Sequence, residues 1–298
     1  MAFPISTSIH WLFDKDFKNG IHSIELPISS IAKAGFKYAD FNFLDQVASK
    51  NSPFLSDEWE KYIDYAGELA SKYNLEFNQA HAPCHDGVWV ENFSNEEKLK
   101  YIDRAIMACA KLGIKQMVYH PILFGDDWET VNRNVFSHVA ETSSKYGVGV
   151  ALENLFVTRP CPLAKIDCLI NFADSFNDDN VGICWDTGHG NYTQGLDEFK
   201  EYADQYAMIT KIGKRLKATH IHDNNSLRDD HIPPFEGNIN WKDVLRALND
   251  IDYKYSFTYE AHNALAKLPQ NNKELLDERM RYMLVLAQTL VSDSFLEN

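Results

Sequence analysis

The sequence predicts an α/β fold, a (β/α)8 TIM barrel formed as a single domain over residues 1–298. Three observations predict it. Short apolar runs alternate with helical patterns about eight times and no hairpin signal joins two runs, which calls for parallel strands with crossover helices. The length also suits one closed barrel, which commonly needs about 250 residues. Finally, polar residues end the apolar runs at near-constant intervals. His81, His120, Glu153, Asp186, His220 and Glu260 are 39, 33, 33, 34 and 40 residues apart, each interval the length of one strand and helix. A doubly wound open sheet is the architectural alternative, and it is disfavoured because no G-x-G-x-x-G follows the first strand.

The elements follow in order. Ile5 to Ser8 reads as the first strand and Phe36 to Phe43 as the second, and Pro27 makes the helix between them short or irregular. Ser56 to Tyr73 reads as an amphipathic helix with Ser56 as its N-cap. Leu75 to Ala80 is the third strand and delivers His81. A capping box, Ser94 with Glu97, opens a helix that runs to Leu112 and stops at Gly113. Ile114 to Tyr119 is the fourth strand, ending in His120; a helix from Trp128 to Tyr146 stops at Gly147, and Val148 to Leu152 makes the fifth strand, ending at Glu153. Val181 to Trp185 is the sixth, ending at Asp186 with His189 just beyond. A helix over 196–212 leads to the seventh strand, where Ala218, His220 and His222 alternate with Thr219 and Ile221, so both imidazoles emerge on one face. A turn-rich loop then carries Asp229, Asp230 and His231, and Asn240 is placed to cap a helix from Trp241 to Asn249. Tyr255 to Tyr259 is the eighth strand, ending at Glu260, and 271–291 is a long closing helix.

Composition narrows the class. Hydrophobic residues make up 45% and charged residues 24%, an ordinary globular balance. The N-terminus lacks a basic n-region and nowhere do about 20 apolar residues run together, so neither an export signal nor a membrane span is read. Five cysteines form no CxxC and their number is odd, which fits reduced thiols in a cytoplasmic protein. The net charge of −14 disfavours non-specific attraction to nucleic acid, because neutralising phosphates takes patches of Lys and Arg. Divalent cations held by inward-facing carboxylates would offset part of that charge.

In a barrel the strand C-termini ring one mouth, so residues spaced by single units converge. The ring is then built of His, Asp and Glu, and mixed imidazole and carboxylate ligands suit Zn²⁺, Mn²⁺, Co²⁺ or Fe²⁺ better than an all-oxygen Ca²⁺ site. Three acids and a histidine would hold one ion and leave positions open for substrate. His81 and His120 would hold a second with Glu153 bridging, and His189, Asp229 and His231 a third.

The motifs ALEN at 151–154, WDTGH at 185–189, HIHDN at 220–224, Asp229-x-His231 with PPFEGNINW, and YEAH at 259–262 resemble one group in this order and spacing. That group is the sugar phosphate isomerase/epimerase superfamily of xylose isomerase-like TIM barrels, which also contains the endonuclease IV type of apurinic-site endonuclease. The resemblance covers nearly the whole chain. It implies that Glu153, Asp186, His220 and Glu260 bind the common metal, with His220 chosen over His222 by matching HIHD to the family's H-x-x-D. It also implies that His81, His120, His189, Asp229 and His231 are counterparts of the residues completing a three-metal cluster, giving one to three ions of Zn, Mn, Co or Mg. In many sugar epimerases of the group, position 189 contacts substrate instead. A glutamate of some ketose epimerases falls at Arg159, where a guanidinium would hold a phosphate or carboxylate.

The resemblance and the ring together imply a metal-dependent isomerase or epimerase acting on a sugar or sugar phosphate, a small-molecule partner rather than nucleic acid or membrane, with a homo-oligomer compatible. Glu153 and Glu260 would flank the reacting carbon as acid and base. His189 or His222 would orient hydroxyls, and Trp11, Trp89, Phe124 or Trp185 would wall the sugar. Three other readings compete. The full ligand set favours metal-dependent phosphodiester hydrolysis, which the net charge opposes; a lyase or dehydratase on a small polyol or keto substrate would use the same site; and a non-catalytic binding module is opposed by the retention of Glu153 and Glu260.

Overall fold

The computed structural model describes residues 3–9, 14, 16–83, 93–123, 127–155, 161–192, 203–269 and 272–292. Its strands are β1 (Ile5–Ser8), β2 (Tyr38–Asn42), β3 (Glu76–His81), β4 (Gln116–Tyr119), β5 (Gly149–Glu153), β6 (Val181–Asp186), β7 (Leu216–His220) and β8 (Phe257–Tyr259). All the strand pairs are parallel, neighbours in the sheet are neighbours in the chain, and β1 also pairs β8. Closure between β7 and β8 is made at the rim. The Ile221 N–H donates to the Thr258 carbonyl at 2.7 Å and the Glu260 N–H to the Ile221 carbonyl at 3.1 Å. The expected TIM barrel is therefore present, and its seam lies between His220 and Glu260.

The crossover helices are α1 (Glu25–Ala34), α2 (Trp59–Tyr73), α3 (Asn95–Leu112), α4 (Trp128–Tyr146), α5 (Ile166–Asp174), α6 (Gln205–Ile212), α7 (Trp241–Asp250) and α8 (Lys273–Leu290). Pro27 sits in the first turn of α1, where its missing N–H is not needed, so the helix proceeds after a 3-10 turn over Gly20–Ile24. The Ser94–Glu97 capping box forms at α3, and Gly113 and Gly147 end α3 and α4 at φ +77° and +66°, left-handed values that glycine adopts without a Cβ clash.

Three expectations change. Ser56 does not cap α2: it ends a 3-10 turn over Pro53–Leu55, and its hydroxyl accepts from Glu58 N–H at 3.1 Å, delaying the helix to Trp59. Asn240 holds the N-cap position of α7 but turns its amide to Asp243 at 2.6 Å instead of accepting from the backbone. Finally, α5 was not read from the sequence. Its window is short, and the prolines at 160 and 162 just before it resemble loop chemistry.

Apolar side chains fill the space between strands and helices, with Phe41, Phe43, Phe54, Tyr62, Phe136 and Trp185 among the fully buried ones. Inside the barrel the packing is different. Val118, Ala151, Cys184 and Ala218 form a separate small-residue layer from β4 to β7. Each lies two residues before a site residue, His120, Glu153, Asp186 and His220 in turn, so pleating aims those four at the layer above. No described helix is long and apolar enough to cross a membrane.

Candidate metal centre

Six strand ends converge as their spacing predicts. Glu153 is the hub: its Oε2 lies 3.2 Å from His220 Nδ1, 3.2 Å from His120 Nε2 and 3.7 Å from His81 Nε2. His220 Nδ1 also lies 3.4 Å from Glu260 Oε2 and 3.9 Å from Asp186 Oδ2. A second knot forms beside this one. His189 Nε2 is 3.6 Å from Asp229 Oδ2, His231 Nε2 is 3.0 Å from the same oxygen, and His222 Nε2 is 3.8 Å from Asp229 Oδ1. Asp186 joins the two knots, with its carboxylate 2.9 and 3.0 Å from His222 Nε2.

Local structure fixes each side chain. Asp186 caps the short helix Thr187–Asn191 by accepting from the His189 N–H at 2.6 Å, which places His189 above it. The Asn154 side chain donates to the Asp186 carbonyl and accepts from the Asp186 N–H, tying the ends of β5 and β6. The loop holding Asp229 and His231 is fastened by Asp223. That buried carboxylate accepts from the N–H groups of Asn224, Phe235 and Ile239 and from the Trp241 indole, all at 2.9–3.2 Å. His231 then places its Nδ1 2.8 Å from the Glu260 carbonyl oxygen.

The electrostatics are those of ion pairs removed from water. Burial raises the Glu153 carboxyl, but the His220 and His120 imidazoles outweigh it and hold the group well below the usual carboxylate range. Burial likewise works to lower His220, yet Glu260 and Glu153 push it up to about 10. His231 rises to about 9 against the same desolvation, chiefly through Asp229, and His189 is raised well above its ordinary value by Asp186 and Asp229. For Glu260 and Asp186 burial again opposes ionisation, and the neighbouring imidazoles carry the balance downward.

The donor set fits divalent cations. Both Glu153 oxygens and both His220 nitrogens are buried without an aligned hydrogen bond, although Glu153 and His220 approach to 3.2 Å. Atoms that come this close while pointing past one another converge on a shared point. Ligand atoms around a tetrahedral ion with bonds of 2.0–2.2 Å sit roughly 3.4 Å apart, and the separations here bracket that value. Among the described residues five overlapping groups bring their ligand atoms this close together: Glu153, Asp186, His220 and Glu260; His81, His120 and Glu153; His81, His220 and Glu260; Glu153, Cys184 and His220; and His189, His222, Asp229 and His231.

Other sequence candidates fall elsewhere. Trp185 is 1% exposed and donates its indole N–H to Gln205 on α6, so it packs outside the barrel and does not wall the mouth. Arg159, Trp11, Trp89 and Phe124 lie outside the described residues. Two neighbours of the site were not singled out from sequence. Cys184 shares the inward face of β6 with Asp186 and lies within reach of Glu153 and His220, a position the period-two alternation marks. His262 lies over His231 with ring centroids 4.3 Å apart, and it was visible only as the last letter of YEAH.

Comparison with known proteins agrees with this barrel. A family model described as a xylose isomerase-like TIM barrel matches residues 28–284. The uncharacterized protein MJ1311 of Methanocaldococcus jannaschii is 28% identical over 281 residues, 90% of each chain. Among solved structures, a D-allulose 3-epimerase from Methylomonas sp. is similar with a TM-score of 0.70 and 17% identity over 98% of this chain and 100% of that one. The IolI protein with a bound zinc atom is similar with a TM-score of 0.67 and 18% identity over 97% and 98% of the two chains.

Proposed function

The chain belongs to the xylose isomerase-like TIM barrel family, and on that premise we propose that it is a divalent-metal-dependent isomerase or epimerase moving a proton beside a carbonyl of a sugar or sugar phosphate. The observation that carries this reading is the convergence of Glu153 and Glu260 on one nitrogen, His220 Nδ1, at 3.2 and 3.4 Å, in a buried ring that keeps both carboxylates ionised. Glu153, Asp186, His220 and Glu260 would hold the ion, which could be Zn²⁺, Mn²⁺, Co²⁺ or Mg²⁺. When bound, such an ion supplies Lewis-acid polarisation of a carbonyl and charge for a developing enolate oxygen.

The remaining work belongs to the protein. One glutamate takes the proton from carbon and the other returns one; return to the opposite face gives an epimer, and return to the adjacent carbon gives an aldose–ketose isomer. His189, 7% exposed at the rim of the ring, would bind a substrate hydroxyl. Similarity to the D-allulose epimerase and to the zinc-bearing IolI protein supports a sugar and a metal as the partners.

One observation favours a second reading. His81 and His120 around Glu153, and His189 and His231 around Asp229, would also suit a multinuclear phosphodiester hydrolase. The experiment that separates the two is proton NMR of ketoses and aldoses incubated with the Mn²⁺-loaded protein in D2O. We expect deuterium beside the carbonyl together with a new epimer or isomer, and a loss of about 10²–10⁴-fold in Glu153→Gln and Glu260→Gln. No exchange with any sugar, alongside cleavage of an abasic oligonucleotide, would replace the first reading with the second.

A further inference from the structure

His220 and His222 are two residues apart and equally buried, yet they face different partners. The first has both ring nitrogens free of aligned hydrogen bonds and lies against Glu153 and Glu260. The second directs its Nε2 at both oxygens of Asp186, 2.9 and 3.0 Å away. Its ring also forms the platform on which His231 stacks, with centroids 3.9 Å apart and planes 13° from parallel. Two rings stacked face to face cannot both aim an in-plane lone pair at one ion between them, so this arrangement does not fit two ligands of a single centre.

Glycine makes the placement feasible. A Cβ on Gly188 would stand 1.9 Å from Cε1 of His222 and 2.4 Å from its Nδ1, so the ring occupies the space that only glycine leaves. His222 is also wholly shielded from solvent, which removes it from direct contact with a sugar.

We infer that His222 is a positioning residue: its Nε2–H fixes the Asp186 carboxylate for an ion held by Glu153, Asp186, His220 and Glu260, the inner site, while its ring face sets His231 for the outer group formed with His189 and Asp229. This rests on the metal-dependent reading above. Carboxylates that bind metal are commonly oriented by such a hydrogen bond, and its loss typically costs 10–100-fold in metal affinity. Because the same imidazole serves both groups, its removal is felt at both.

The test is a Co²⁺ titration of metal-stripped full-length protein, followed by visible absorption and by ion count at saturation. Wild type is compared with His222→Ala, His222→Gln and Gly188→Ala. In His222→Ala we expect affinity at the inner site to fall about 10–100-fold with an altered spectrum. His222→Gln, which retains a donor for Asp186, recovers most of the affinity. Gly188→Ala reproduces the loss with the imidazole still in the chain, which guards against a merely unfolded alanine variant. Unchanged affinity in all three would overturn the inference, as would loss of one whole ion in both histidine variants with the inner affinity intact, since His222 would then be a ligand. Failure of the metal reading itself is distinct, because wild type would then bind no Co²⁺.

Discussion

His220 and His231 show how far a buried site can move an imidazole. In the metal-free protein they stand near 10 and 9, against about 6.5 in an unfolded chain. A raised histidine stabilises the fold fully below its unfolded value and stops doing so as pH climbs through its folded value. The thermal midpoint of metal-free protein should therefore fall between roughly pH 6.5 and 10. Metal binding follows the opposite sign, because an ion must displace these protons. Affinity should rise from pH 6 to 9, and calorimetry in buffers of different ionisation enthalpy should report released protons; a pH-independent affinity would contradict this protonation scheme. Asp223 gives a second residue-scale prediction. Four N–H donors converge on its carboxylate, so Asp223→Asn sets an amide N–H2 against at least one of them. A stability loss of about 2–4 kcal/mol follows, with faster proteolytic nicking of the loop at 225–238, whereas wild-type stability would mean the donors find other acceptors.

Among the elements, the most legible were those whose ends carry local chemistry. The capping box of α3 and the stop glycines of α3 and α4 form as read, because these signals act within one turn. Ser94→Ala should cost about 1 kcal/mol, checked by urea denaturation with an unchanged m-value. Ser56 misled because a serine hydroxyl that can cap a helix can equally close a 3-10 turn, and Pro53 three residues earlier favours the turn. Strand limits drifted for a physical reason. Hydrophobicity marks what is buried, but the ladders that define β2 and β8 begin two residues later, so Phe36 and Tyr255 flank strands they were expected to join. α8 shows an element acting at a distance: its Leu284 lies 3.1 Å from where a Cβ on Gly35 would stand, and Gly35 ends α1 at φ +106°. Gly35→Ala is therefore strained in backbone and in packing together, and it should destabilise more than Ser94→Ala.

The convergence of the site was legible because a closed barrel turns regular sequence spacing into a ring, so the separations of His81, His120, Glu153, Asp186, His220 and Glu260 carried three-dimensional information. The choice of His220 over His222 rests on matching HIHD to H-x-x-D alone, and the surroundings of His222 were not legible, since two residues of one parity look alike until Asp186 and Gly188 are placed against one of them. The whole molecule joins site and fold at one line. Among the described residues β7 and β8 meet through the single bridge at Ile221 and Tyr259, whereas β4 and β5 share a four-residue register. Among the described residues that bridge is the shortest pairing in the cylinder, and His220 and Glu260 flank it. An ion held by Glu153, Asp186, His220 and Glu260 would clamp β5, β6, β7 and β8 together across it. Binding at 1,000 times Kd stabilises a native state by about 4.1 kcal/mol, and here that energy should act locally as well as globally. Removing metal with a chelator should lower the thermal midpoint, and hydrogen exchange should speed most at the Ile221 and Glu260 amides, with the Gly149 amide, which donates to the Lys115 carbonyl on the β4 side, changing least. Uniform acceleration across all strands would show instead that the barrel opens as one unit and that the seam has no separate dependence on the site.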